Sequence, residues 1–200
     1  MQDGERPLDS IWLFWALLSV PFFVPVVRIL AFGARGGLFF YWTGVASIVL
    51  MILALAVTPF RRLFPGVALG RWLLRRRRYI GVAAFAYAAL HTVYWLQQAK
   101  WDRIVGSFTD VDIATGWVSL AIMTAMAVTS NDLSVRRLGP GWKSLQRWIY
   151  LGAPLGVLHY LLVWDFRLRL VVLYGGSLAL VMALRLLGAR KAGGRVRGPL

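Results

Sequence analysis

"RRRRYIGVAAFAYAALHTVYWL", residues 75–96, indicates the architecture of this chain, because four consecutive arginines give way at Tyr79 to a long apolar run. No charged residue occurs between Tyr79 and Gln97. A helix over 79–97 is roughly 28 Å long at about 1.5 Å per residue, close to the ~30 Å of a bilayer's hydrocarbon core. The stretch therefore predicts a membrane-spanning helix, and this helix carries a histidine, His91.

Five further apolar runs have a similar length, at 11–32, 38–60, 113–129, 148–164 and 170–187. None of the six runs contains an acidic residue, and the chain is 59% hydrophobic with a mean hydropathy of +0.65. The residues before the first run, "MQDGERPLDS", lack the basic segment of a cleavable signal peptide. We therefore expect an all-α integral membrane protein with six transmembrane helices. They form a single domain over 1–187, followed by a basic, disordered cytoplasmic tail over 188–200.

Prolines interrupt several of the predicted helices. Pro21 and Pro25 are expected to bend the first helix and Pro154 the fifth, because each removes an intrahelical hydrogen bond. Pro59, in "TPF" (58–60), is expected to end the second helix.

The positive charge of the chain alternates between connections. The formal net charge is +15, and 17 of the 23 Lys and Arg residues lie in the N-terminus, the second and fourth connections and the C-terminal segment. The other three connections and the first run share six. This alternation follows the positive-inside rule, so both termini are expected in the cytoplasm, with the basic segments against anionic lipid. Nucleic-acid binding is not expected. The chain has no cysteine, which excludes disulfides and thiolate-bound metal centres.

The two histidines, His91 and His159, occupy similar positions in the third and fifth predicted helices. Both helices run from the cytoplasm outward, and both histidines lie about 11–12 residues in, which places them near the middle or in the outer half of the membrane. Small residues lie three and seven positions before each histidine, on the same helix face. These are Ala88 and Ala84 before His91, and Gly156 and Gly152 before His159.

A flat ligand between two imidazoles accounts for this pattern, because a porphyrin needs an open space beside each axial histidine. Two other interpretations account for the same residues. Small residues allow close helix packing, and an intramembrane histidine can simply donate to a backbone carbonyl. Zinc fits less well because it requires four ligands, and a proton relay would need intramembrane carboxylates, which the six runs lack. Ionisable residues at such depth are functional by default.

Three segments of the chain resemble the MsrQ (YedZ) proteins of the ferric-reductase-like transmembrane superfamily. They are "VTPFRR" (57–62), "RRRRYIGVAAFAYAALHTVYWL" (75–96) and "VTSNDLSVRRLGPGWKSLQRWIYLGAPLGVLHYLLVWD" (128–165). The resemblance implies a b-type haem subunit of the bacterial inner membrane, with His91 and His159 as the axial ligands of the iron. It also implies electron transfer to a periplasmic molybdopterin methionine sulfoxide reductase of the MsrP type. The implied donor is quinol or a cytoplasmic flavin reductase, with FMN as a further carrier.

Other functions remain open at this point. A stand-alone ferric or quinone reductase belongs to the same superfamily, and a haem-free membrane scaffold is the alternative outside redox chemistry. No glycine-rich dinucleotide fingerprint is present, so reduced nicotinamide would have to act through another protein.

One position departs from the MsrQ pattern. The family has a histidine at the start of the fifth helix, and this chain has Gln146 there. An amide is a poor ligand for iron, so we expect one haem, in the outer half of the membrane. The cytoplasmic half contains Trp72, Arg77, Tyr79 and Trp148, a basic and aromatic region that suits an anionic flavin, a quinol head group or lipid headgroups alike.

Overall fold

The computed structural model describes residues 10–33 and 36–194, and every regular element within these two ranges is helical. The long helices are joined by short helices and turns. In chain order the elements are α1 (Ile11–Phe32), α2 (Gly37–Leu63), α3 (Ala68–Gln98), α4 (Trp101–Gly106), α5 (Val111–Val128), α6 (Asp132–Leu138), α7 (Pro140–Gln146), α8 (Ile149–Val163), α9 (Leu168–Leu170), a π-helical segment (Val171–Gly176) and α10 (Ser177–Gly194).

Five helical stretches within the described residues are long and apolar enough to cross a membrane. They are α1, α2, α3, α5 and the continuous stretch Leu168–Gly188, and they coincide with five of the six predicted spans. The remaining predicted span, 148–164, forms α8, which has 15 residues. Its length is roughly 22 Å, short of a bilayer's hydrocarbon core. A turn at Arg147 and Trp148 separates α8 from α7.

Several helix boundaries differ from the prediction. The third helix begins at Ala68, so the arginine run before Tyr79 is helical rather than a connection. Arginine and leucine are good helix formers, and no proline or glycine pair interrupts them there. The short helices α4, α6 and α7 were not predicted. At the C-terminal end α10 continues to Gly194, past the predicted domain boundary at residue 187. The last part of the predicted tail, 195–200, lies outside the described residues.

The core of the bundle is built around α2, which has eleven buried residues. The antiparallel α3 packs along it, while α1 and α10 cover its other sides. A second helix pair, α5 and α8, packs against the first through contacts of α5 with α3 and of α8 with α2. Two helical pairs therefore face each other across the middle of the molecule.

Basic side chains collect at one end of this bundle, which we call the basic end. It includes Arg61, Arg62, Arg75–Arg78, Arg136, Arg137, Lys143, Arg147 and Arg185. Arg78 donates to the Asp132 carboxylate at 2.7 Å, and this hydrogen bond and the arginine charge hold the pKa of Asp132 below its usual range. Their ion pair is therefore complete at neutral pH and is lost as the pH falls through that lowered pKa.

A tyrosine hydroxyl replaces one backbone hydrogen bond of α1, close to the prolines of that helix. The Tyr87 hydroxyl accepts from the Phe22 amide at 3.1 Å and donates to the Leu18 carbonyl at 2.8 Å. In an uninterrupted helix these two groups would bond each other directly. The hydroxyl therefore satisfies both backbone groups and fastens α1 to α3.

The prediction that Pro59 ends the second helix is wrong, because α2 continues through this proline to Leu63. Proline has no N–H, so the carbonyl of Leu55, four residues earlier, loses its helical donor. Leu55 is 1% exposed, so water does not replace that donor. The guanidinium of Arg185, on α10, donates to this carbonyl at 2.9 Å and also to Thr58 and Tyr150. A side chain from the last helix thus completes the hydrogen bonding of α2.

Replacing Arg185 with methionine should destabilise the protein by about 1–3 kcal/mol, because it leaves the buried Leu55 carbonyl without a donor. The same replacement should cost less in a Pro59→Ala background, where the amide of the new alanine supplies that carbonyl with its helical donor. The measurement is the free energy of unfolding in mixed detergent micelles, followed by circular dichroism, for the four proteins of this cycle. An equal cost in both backgrounds would show that Arg185 acts only through its other two partners.

Candidate functional site

The two histidines come together in the fold. His91 lies on α3 and His159 on α8, and their ring centres are 6.5 Å apart with the ring planes at 80°. Each helix pair thus contributes one imidazole. The sequence predicted a similar depth for these rings, and the structure places them side by side.

Each imidazole is held by a backbone carbonyl from the partner helix of its own pair. Nδ1 of His91 lies 3.0 Å from the Phe40 carbonyl on α2, and Nδ1 of His159 lies 2.6 Å from the Asp112 carbonyl on α5. A carbonyl only accepts hydrogen bonds, so Nδ1 carries the proton in both rings and Nε2 keeps its lone pair. Metal-binding histidines commonly have this arrangement, with one nitrogen fixed by a carbonyl and the other free for the metal.

A glycine lies directly behind each histidine. A Cβ atom at Gly44 would be 2.9 Å from Nδ1 of His91, and one at Gly116 would be 2.9 Å from Nδ1 of His159. Each glycine follows the carbonyl partner of its histidine by four residues, one helical turn. The Phe40 ring also stacks on the His91 ring, with centres 4.0 Å apart. Sequence reasoning missed both glycines because they lie on neighbouring helices.

Both histidines line one cavity of about 510 Å³ between the two helix pairs, which we call the histidine cavity. Its volume lies within the range of small-molecule and cofactor sites, about 300–1,000 Å³. Most of its wall is apolar or aromatic, with a few polar groups. The wall includes Phe40, Tyr41, Ile48, Met51, Trp95, Ile113, Trp117, Leu120, Met123, Tyr160, Val163 and Trp164.

The four small residues predicted to make room for a flat ligand do not all reach this cavity. Ala88 and Gly156 line it, next to His91 and His159. Ala84 lines a different cavity, described below. Gly152 lines neither, and a Cβ atom there would lie 2.9 Å from Ile122 on α5, so this glycine lies at a close contact between helices. Some of the small residues that precede the two histidines thus make space for a ligand, and others allow close packing of helices.

A second cavity, of about 390 Å³, lies towards the basic end, and we call it the basic cavity. Its wall combines apolar side chains with four cations, Arg77, Arg78, Lys143 and Arg147. Gln146 is also in this wall, and its amide nitrogen lies 3.4 Å from the Met126 carbonyl. Met51 and Met123 line both cavities, so these two buried thioethers form part of the partition between them.

The histidine pair fits an iron held in a macrocycle. Two imidazoles bound to one metal through bonds of about 2 Å have ring centres roughly 6 Å apart, close to the spacing found here. The described residues contain no group of three or more His, Cys, Asp or Glu side chains that could hold a bare metal ion. Two histidines alone leave the remaining coordination positions to a non-protein ligand. A porphyrin supplies four nitrogens in a plane, and bis-histidine coordination then gives a six-coordinate, low-spin haem.

Comparison with known proteins gives a consistent result. Residues 43–157 match the family described as ferric reductase like transmembrane component. The chain is similar to the protein-methionine-sulfoxide reductase heme-binding subunit MsrQ of Brucella ovis, with 32% identity over 97% of this chain and 92% of the relative. The corresponding proteins of Brucella canis and Brucella melitensis show the same identity and coverage. No solved structure matches the chain.

Proposed function

Because the chain belongs to the ferric-reductase-like transmembrane family, and within it to the MsrQ haem-binding subunits, we propose that it holds one b-type haem between His91 and His159. The haem would carry electrons through the membrane to a methionine sulfoxide reductase. The observation that carries this proposal is the pair of imidazoles 6.5 Å apart in one cavity, each with Nδ1 on a carbonyl and Nε2 free.

The residues of the site determine what kind of redox centre it would be. When bound, haem supplies a one-electron couple. His91 and His159 would occupy both axial positions, so no position is left open for oxygen, and the site suits electron transfer. The carbonyls of Phe40 and Asp112 fix the orientation of the two rings and increase their basicity. The apolar wall would exclude water from a bound iron, and this exclusion together with the two imidazoles would set the reduction potential of the iron.

The proposed topology has six spans in the bacterial inner membrane, and α8, extended by α7, is the fifth of them in chain order. The basic end would face the cytoplasm, as would both termini, since Lys and Arg concentrate there. His91 and His159 lie about seven and four residues from the opposite ends of their helices, which corresponds to the outer half of the membrane. The haem would thus lie on the side from which a periplasmic partner is reached.

Electrons would enter at the basic end. We propose quinol, or a cytoplasmic flavin reductase acting with FMN, as the donor, and the basic cavity as the place where its ring is received. The four cations and the apolar wall of that cavity suit a ligand that has an anionic or polar group and an apolar body. Anionic lipid also has both features. The acceptor would be a periplasmic molybdopterin reductase of the MsrP type; the name of the Brucella relatives supports a methionine sulfoxide reductase as the acceptor.

A stand-alone ferric or quinone reductase is the second candidate, favoured by the family that residues 43–157 match. It shares the haem and differs in the acceptor. Haem-containing protein that reduces ferric citrate or a quinone at full rate, without any protein partner, would favour this candidate.

The absorption spectrum of the purified protein tests the proposed function. We expect a Soret band, sharp α and β bands on reduction with dithionite, and about one haem per chain, because two histidines supply the axial ligands of one iron. The reduced protein should be reoxidised by a periplasmic methionine sulfoxide reductase in the presence of oxidised methionine. A colourless preparation from cells supplied with a haem precursor would contradict the proposal and favour a haem-free scaffold.

A further inference from the structure

Tyr160 on α8 has a buried hydroxyl without a hydrogen-bond partner. Its side chain is 7% exposed, and it is the single buried side-chain group in the described part of the chain whose polar atom has no partner. A buried hydroxyl left unpaired costs about 1–3 kcal/mol, and most such groups in proteins are paired. An unpaired group of this kind therefore calls for an explanation.

The position of Tyr160 supplies one, because the residue follows His159 and lines the histidine cavity. Its neighbours are aromatic rings: Trp164 lies at 6.3 Å and Tyr174 at 5.2 Å between ring centres. The Tyr41 hydroxyl, in the same cavity wall, is within reach of a weak hydrogen-bonding interaction with Tyr160, but the two hydroxyls do not meet the geometry of a normal hydrogen bond.

Two hydroxyls of the same wall are already engaged within the protein. Ser119 donates to the Gly152 carbonyl at 2.8 Å, and Thr92 donates to the Ala88 carbonyl at 2.9 Å. The Tyr160 hydroxyl has no such partner and is therefore available to a ligand of the cavity.

We propose that Tyr160 donates a hydrogen bond to a propionate carboxylate of the haem and thereby fixes the rotation of the macrocycle between the two histidines. This inference rests on the proposed function. The oxygen atoms of haem b all belong to its two carboxylates, so these are the acceptors that the cofactor brings into the cavity. A hydroxyl bonded to a carboxylate is a charge-assisted pair, and such pairs are stronger than neutral ones.

Replacing Tyr160 with phenylalanine should act in opposite directions on the empty and the loaded protein. Without haem the variant should be as stable as the parent or more stable, because it removes an unpaired buried hydroxyl. With haem it should bind the cofactor about ten- to a hundredfold more weakly, since a hydrogen bond to a charged group is lost. The measurement is a titration of haem-depleted protein in detergent with haemin, followed at the Soret band, alongside thermal unfolding of both forms.

A second readout is the reduction potential of the bound haem. The tyrosine hydroxyl offsets part of the negative charge of the propionate, and its removal should favour ferric over ferrous iron. The Tyr160→Phe variant should therefore have a lower midpoint potential than the parent, while its spectrum stays low-spin because both histidines remain. A purely structural role for Tyr160 would leave the potential unchanged.

Two controls isolate the proposed bond. Tyr174→Phe removes a hydroxyl from a tyrosine that is similarly buried and packs against Tyr160 outside the cavity wall, so haem affinity should not change. Haem dimethyl ester lacks the propionate charges, and with it the difference between the parent and Tyr160→Phe should shrink to less than about threefold.

Equal haem affinity and equal potential in the parent and Tyr160→Phe would overturn the inference, as would an equal loss in Tyr174→Phe. Failure of the proposed function looks different, because the parent protein would then bind no haem in the same titration.

Discussion

Alanine at position 91 or at position 159 should lower haem retention by more than about a hundredfold, since changes to the partners of metal ligands alone commonly cost 10–100-fold. Either change removes one axial ligand and leaves the iron with a single protein bond. Any haem that remains should be high-spin, because a five-coordinate iron has lost one strong-field imidazole. The measurements are haem content per chain, the reduced-minus-oxidised spectrum and the electron paramagnetic resonance signal of the ferric protein.

Gln146→Ala provides the matched control. Gln146 lies in the basic cavity, and its amide contacts the Met126 carbonyl. If the protein holds one haem, this variant should keep the full haem content and an unchanged low-spin spectrum. An unchanged spectrum in both His91→Ala and His159→Ala would remove these residues as ligands. A haem content near two in the parent that falls to one in Gln146→Ala would refute the single-haem proposal.

The membrane-spanning helices could be predicted because the signal for them is local. An uninterrupted apolar run such as 38–60 must form its backbone hydrogen bonds within itself when water is absent. Hydropathy does not report how a helix is completed by distant residues. Pro59 predicted an end to α2, but the helix continues, and the Leu55 carbonyl that the proline leaves without a donor is bonded by Arg185, 130 residues after Leu55 in the chain. A contact at that separation leaves no pattern in the sequence around either residue.

In the candidate site, too, local features could be predicted and contacts between distant residues could not. The presence of His91 and His159 at similar depth followed from counting residues along two helices, and the fold brings the rings together. The carbonyl partners could not be predicted, because Phe40 and Asp112 bond through their backbone and their side-chain type carries no information. The small residues that precede each histidine predicted the position of the cavity only in part. Gly156 lines the histidine cavity and Gly152 contacts Ile122, and only packing distinguishes these two positions.

Alanine at Gly44 or Gly116 should displace the histidine in front of it and weaken haem binding by about ten- to a hundredfold, the cost typical of losing a contact that orients a metal ligand. At Gly116 the added methyl would lie 2.9–3.1 Å from three atoms of the His159 ring, and at Gly44 it would lie 2.9 Å from Nδ1 of His91. These rings cannot move aside cheaply, because each is held by a carbonyl one turn before the glycine. The spectrum should show a mixture of low-spin and high-spin haem.

Gly81→Ala is the control for the general effect of a methyl group in a helix of this protein. Gly81 lies on α3, as His91 does, and a Cβ atom there meets no other atom within 4 Å. Alanine is the better helix former by about 1 kcal/mol, so this variant should be at least as stable as the parent and keep its haem. A loss of haem in Gly44→Ala and Gly116→Ala, with none in Gly81→Ala, would assign the effect to the histidine contact. If all three keep a full low-spin complement, the glycines serve helix packing alone, and the carbonyl contacts of His91 and His159 are not needed to hold the iron.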